Sequence, residues 1–143
     1  MVSAVILGGG EIDERLRGYF QGASKGLIPV ANKTCIEYVL EAVRATEGVE
    51  KVALVGPTEL TDLPAARLAD VHVPEPAGIV DKLVAATEVL GDDKRLLFAS
   101  CDAPLATPGS LADVIRHDPG DCAALLPLVK EPVALKAFPD KHW

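Results

Sequence analysis

The sequence predicts an α/β fold: a mostly parallel sheet with helices on both faces. Three observations carry this. Short, branched apolar runs recur along the chain and stop at glycine or proline. Stretches with helical apolar periodicity fill the gaps between them. The apolar runs are continuous rather than alternating, which indicates strands buried on both sides, as parallel sheets require. With 143 residues, 49% of them hydrophobic and 24% charged, residues 1–143 suffice for a single domain with one real core. Only 4% of residues are aromatic, so that core must be aliphatic.

Each element follows in chain order. Val2–Leu7 reads as a buried strand stopped by Gly8-Gly9-Gly10. A charged, poorly patterned loop leads to Ser24-Lys25 and a new apolar run, Leu27-Ile28-Pro29-Val30. Thr34 and Glu37 have the spacing of a capping box, and Ile36, Val39, Leu40 and Val43 follow on one helical face. Gly48 is a natural stop. Lys51–Val55 predicts a second strand, ended by Gly56-Pro57, and Asp70–Val73 a short third. Val80, Leu83, Val84 and Thr87 mark an apolar helical stripe closed by Gly91. Arg95–Ala99 predicts a strong strand. Thr107-Pro108 supplies an N-cap with proline at the first helical position, and Leu111, Val114 and Ile115 form that helix's apolar face. Cys122–Leu126 predicts a further strand and Glu131–Phe138 a short helix beginning at Pro132. If the sheet ends at Leu126, its last strand is an exposed edge that a second copy of the chain can cover.

Composition narrows the function. The net charge of -7 argues against a nucleic-acid partner, which wants a basic field, but leaves room for a nucleotide, which needs only a few local donors. Cys35, Cys101 and Cys122 form no pair motif, so a reducing cytoplasm is the simpler setting. His72, His117 and His142 show no zinc-ligand spacing. No apolar run has the length of a membrane span, and Met-Val-Ser-Ala lacks the basic flank of a signal peptide.

The glycine loop fails two tests. Gly8-Gly9-Gly10 is followed by Glu11-Ile12-Asp13-Glu14, not by the Gly-Lys-Ser/Thr of a P-loop. A dinucleotide fingerprint counted from Gly8 needs glycine where Asp13 stands. What remains is a strand followed by a glycine turn, which is either a tight turn or a place where backbone N–H groups approach an anion. The long loop that returns Lys25 fits the second: loops of that length are usually functional, and a lysine there supplies a compact positive charge for phosphates. A solvated surface lysine is the bland alternative. In open parallel sheets ligands bind beyond the carboxyl ends of strands where the strand order reverses. If the strand ending at Ser100-Cys101-Asp102 neighbours the first, the two features converge.

The stretches Ala4-Val5-Ile6-Leu7-Gly8-Gly9-Gly10, Lys25-Gly26-Leu27-Ile28-Pro29-Val30-Ala31-Asn32-Lys33 and Ile36-Glu37-Tyr38-Val39-Leu40 resemble the opening of the sugar-phosphate and molybdenum-cofactor nucleotidyltransferases, of which the molybdenum-cofactor guanylyltransferases are one branch. Asp102-Ala103-Pro104-Leu105-Ala106-Thr107-Pro108 resembles the D-x-P-L-[LI]-T-P turn of that family. The motifs stand in the family's order, and the resemblance covers nearly the whole chain. It implies a Rossmann-like three-layer sandwich of the glycosyltransferase-A-like kind. It also implies Mg²⁺-dependent transfer of NMP from an NTP to a small phosphorylated or hydroxylated acceptor, with release of pyrophosphate. Carried over residue by residue, Gly8, Gly9 and Gly10 wrap the phosphates, Lys25 lies against them, and Asp102 is a Mg²⁺ ligand. Gly78, in Pro76-Ala77-Gly78-Ile79, matches a turn near the base or ribose more loosely.

The departures matter too. The family's arginine shortly after the glycines is out of register, with Arg15 and Arg17 as the substitutes at hand. The usual G-K-P is Asn32-Lys33-Thr34. The family is generally longer, with a second half that carries the acceptor pocket, so this sequence resembles its nucleotide-binding half alone, either a fragment or a natural short form. Two expectations follow: a nucleotidyltransferase, or a non-catalytic nucleotide-binding or assembly module. Cys101 reads as a buried residue rather than a reactive thiol, because no cation stands near it in sequence.

Overall fold

Val2–Leu7 forms strand β1, buried from Val2 through Ile6. In the computed structural model the described residues are 1–10, 12–91, 95–121, 123–125, 127 and 130–137, the side chains of Glu131 and Leu135 excepted. The loop after the glycines contains a one-turn helix, α1 (Glu14–Arg17), whose N-cap Asp13 carboxylate accepts the Arg15 N–H at 2.9 Å. Lys25–Leu27 is a 3₁₀ turn. A tight hairpin follows, β2 (Pro29–Val30) and β3 (Lys33–Thr34), with Ala31 in its two-residue turn at φ 53°. Helix α2 (Cys35–Arg44) starts at Thr34, whose N–H and hydroxyl both donate to the Glu37 carboxylate, at 2.7 and 2.8 Å.

Strand β4 (Val49–Gly56) is followed by 3₁₀ turns at Thr58–Asp62 and Pro64–Leu68, then by β5 (Val71–Pro74). Helix α3 (Ile79–Leu90) runs from Gly78 to Gly91, the latter at φ 95°. Strand β6 (Leu96–Ser100) leads to α4 (Pro108–Arg116), where the Thr107 hydroxyl accepts the Ser110 N–H at 3.2 Å. Helix α5 is Glu131–Ala137.

The main sheet has the order β5-β4-β1-β6, and every pairing is parallel. The chain moves from β1 outward through β4 to β5, then returns across the sheet to β6 on the other side of β1. The order therefore reverses between β1 and β6, which is the place where such sheets bind ligands. Ala4, Ile6, Val52 and Leu54 face α2, and Leu111 of α4 packs against the same cluster. Val5, Ala53 and Val55 face the other way, toward Ala86 and Leu90 of α3. The result is the expected three layers with helices on both faces.

The closed flank is also tied by charge. The Asp70 carboxylate accepts the Val52 N–H at 2.8 Å and both Arg44 guanidinium nitrogens at 2.9 and 3.3 Å. The Val52 N–H first, and Arg44 after it, hold this carboxyl below the usual carboxylate range.

Two expectations need correcting. The predicted stripe of α3 was Val80, Leu83, Val84 and Thr87, but its buried residues are Ala86 and Leu90. Val80 and Val84 are exposed instead. The helix is apolar on more than one side, so periodicity alone did not select the face against the sheet. The expected strand Cys122–Leu126 begins and ends outside the described residues, and Ala123, Ala124 and Leu125 are not in a strand. Among the described residues β6 is therefore an edge of the sheet. Phe138, the last residue of the predicted final helix, also lies outside them.

Candidate functional site

The site is assembled at the carboxyl ends of β1 and β6. Leu7 pairs with Ser100, and the Cys101 N–H donates to the Leu7 carbonyl at 3.1 Å. The glycine loop and Asp102 thus leave adjacent strands on the same edge. On the other side, the Gly8 N–H donates to the Val55 carbonyl of β4 at 2.6 Å, which fixes where the loop begins.

The three loop glycines stand in different surroundings, and only Gly10 is required by its backbone. Gly10 sits at φ +131°, a conformation that side chains rarely adopt. Gly9 lies under the Glu75 carboxylate, and a Cβ there would collide with it. Gly8 is buried beside Leu60.

Ser24 joins the two halves of the site. It is fully buried, its hydroxyl donates to the Gly8 carbonyl, and the same oxygen accepts the Gly26 N–H at 3.0 Å. Gly26 is buried, and a Cβ there would stand 3.2 Å from the Cβ of Cys101. Lys25 and Asp102 are therefore each one residue away from a van der Waals contact between their own segments. Lys25 is half-buried and Asp102 exposed. The sequence marks Ser24 only as the residue before Lys25, but serine is a preferred cap for the turn that follows, which is the local signal for its place.

Asp102 accepts a hydrogen bond from the Ser100 hydroxyl, which orients the carboxylate. Burial pushes the Cys101 thiol up, and the charge of Asp102 adds to this while the Ser24 hydroxyl acts against it. Cys35 is also raised, by burial first and by Asp102 next. Neither thiol is primed as a nucleophile, in keeping with the expectation for Cys101.

No group of three or more metal-type side chains occurs among the described residues. A hard ion that keeps several waters and shares a substrate's phosphates needs only one or two carboxylates. An exposed aspartate steadied by a hydroxyl fits that demand.

Gly78 caps α3, and its carbonyl accepts the Lys82 N–H at 3.0 Å. Arg15 is highly exposed and pairs with Asp13, while the Arg17 Nε donates to the Ile12 carbonyl at 3.2 Å. Both arginines are thus engaged within their own loop. No helix among the described residues is long and apolar enough to cross a membrane.

Comparison with known proteins agrees with this architecture. A hypothetical transferase from Thermus thermophilus is 28% identical with a TM-score of 0.80, over 99% of this chain and 56% of that one. A nucleotidyl transferase from Methanothermobacter is 25% identical with a TM-score of 0.66, over 82% of this chain and 57% of that one. A CMP:2-keto-3-deoxy-manno-octonic acid synthetase complexed with CTP shares the fold at 16% identity and a TM-score of 0.62, over 85% of this chain and 48% of that one. The chain thus spans about half the length of these structures. No curated protein matches the sequence. Residues 4–138 match the profile of the MobA-like NTP transferase domain, and the chain belongs to that family.

Proposed function

We propose that this chain binds an NTP over Gly8–Gly10 and serves a metal-dependent nucleotidyl transfer to a small phosphorylated or hydroxylated acceptor. The observation that carries the reading is the convergence at the strand-order reversal. The glycine loop, the Lys25 segment and Asp102 are stitched together by Ser24 and by the Gly26–Cys101 contact. Family membership and the CTP-bound fold relative support it, and so does a Mycobacterium tuberculosis protein of the same fold crystallised with manganese.

In the proposed step an acceptor oxygen forms a bond to the α-phosphorus. The bond from that phosphorus to the bridging oxygen breaks, and its electron pair leaves with pyrophosphate. A hydroxyl acceptor gives its proton to solvent. The Gly9 and Gly10 N–H groups and Lys25 hold the phosphates, the Gly8 N–H being engaged by the Val55 carbonyl, and Gly78 lies toward the base or ribose. Asp102 is the residue to hold Mg²⁺, which when bound neutralises charge on the phosphoryl oxygens. The chain's own task is positioning and charge complementarity, and no covalent nucleophile is required.

A second reading is a nucleotide-binding or assembly module without catalysis. Pyrophosphate release with each of the four NTPs and a panel of sugar phosphates separates the two. The enzyme reading expects release that Asp102→Asn abolishes and NTP affinity that Lys25→Ala lowers about tenfold. Binding without release selects the module, and the absence of NTP binding in calorimetry overturns both.

A further inference from the structure

The geometry points to Lys82 as a second phosphate-binding cation, held by Glu75 and released when a nucleotide displaces that carboxylate. This rests on the proposed nucleotide site and adds a residue to it.

Glu75 follows the end of β5, yet its carboxylate reaches the Cα of Gly9, at the centre of the glycine loop. There it forms an ion pair with the Lys82 ammonium. The pair is sheltered, with the Lys82 side chain 13% exposed and that of Glu75 26%. By contrast, the Arg44–Asp70 side chains are 40% and 37% exposed, and those of Arg116–Asp113 both 60%.

Two features make this pair out of place as a stabilising device. Lys82 lies at the start of α3, where a cation opposes the positive end of the helix dipole. The second is its place: the carboxylate lies against the Cα of Gly9, so the ammonium it holds stands beside the loop that the proposed reading assigns to the phosphates. An anion arriving at the loop repels Glu75 and attracts Lys82. The pair then separates at little net cost, because the incoming phosphate replaces the carboxylate as the lysine's partner. Glu75 thus holds the Lys82 ammonium beside the glycine loop until a phosphate takes its place.

The test is calorimetric titration of wild type, Lys82→Ala, Lys82→Arg and Glu75→Gln with each Mg–NTP, with thermal melts of the free proteins as the check on folding. The two partners of the pair are expected to act with opposite sign. Lys82→Ala weakens Mg–NTP binding about tenfold and Lys82→Arg restores most of it, while Glu75→Gln tightens binding about threefold. A purely structural ion pair gives losses of the same sign at both positions. Wild-type binding with Glu75→Gln weakened or unchanged therefore overturns the inference and leaves the nucleotide site standing. A wild type that binds no Mg–NTP brings down the site and the inference together.

Discussion

The two flanks of the sheet are finished to different degrees. On the α2 side, Ile36, Val39, Leu40 and Val43 close over β1 and β4, and each is essentially inaccessible to solvent. On the opposite face α3 lies over β1, β4 and β5, and the edge strand β6 is left half-covered. Phe98 is 43% exposed there, and Val80 and Val84 of α3 are 65% and 51% exposed. An open apolar groove runs along Val80, Leu83, Val84 and Thr87, and a second wraps the edge of β6 past Leu96 and Phe98 to Leu125. The closed flank has the makings of a self-sufficient core. The open flank has the composition of a core with only one wall described. Both meet at β1, so the glycine loop is anchored by the finished half, while Asp102 leaves the unfinished one.

The contrast makes quantitative expectations. Leu40→Ala, in the closed flank, should lower unfolding free energy by about 3 kcal/mol in urea denaturation, because it empties a fully packed site. A loss as small as that of a surface change would show the α2 core to be loosely packed and erase the distinction. Next comes Asp70→Asn, expected to cost about 1 kcal/mol at neutral pH, a value discounted for the carboxylate's partial exposure. The sign with pH is fixed. The folded-state carboxyl is lowered, so its stabilisation is complete above the ordinary carboxylate range and is lost as pH falls through the folded value. Melts of the two proteins should differ at neutral pH and converge in acid. The smallest effect belongs to the open flank, where Val84→Ala should change unfolding free energy by less than about 0.5 kcal/mol. A large loss on that substitution would mean that something covers this face in solution, and analytical ultracentrifugation of the same samples would show whether it is a second copy.

Most of the framework was legible because its signals are local. The capping box at Thr34 and Glu37, the proline after Thr107 and the glycine after Leu90 each mark a boundary through backbone chemistry that does not depend on neighbours. The juxtaposition of Gly8–Gly10 with Asp102 was legible only as a condition, and the β1–β6 pairing meets it. What escaped was set by tertiary context. The hairpin strands β2 and β3 are two residues each, too short for any period. The exposed side of α3 is as apolar as its buried side. Ser24 and Glu75 matter through partners 16 and 7 residues away, Gly8 and Lys82, which no local pattern joins.

The Ser24 hydroxyl has one further consequence. By gripping the Gly8 carbonyl and the Gly26 amide together, it closes the intervening segment at its base like a drawstring. The lysine's position is then independent of what lies inside the loop. Extra residues between Arg17 and Gly22 lengthen the loop at a small entropic cost, roughly 0.6 kcal/mol per doubling, without carrying Lys25 away. The composition and length of that segment can then change while the charge of Lys25 stays registered to the first strand.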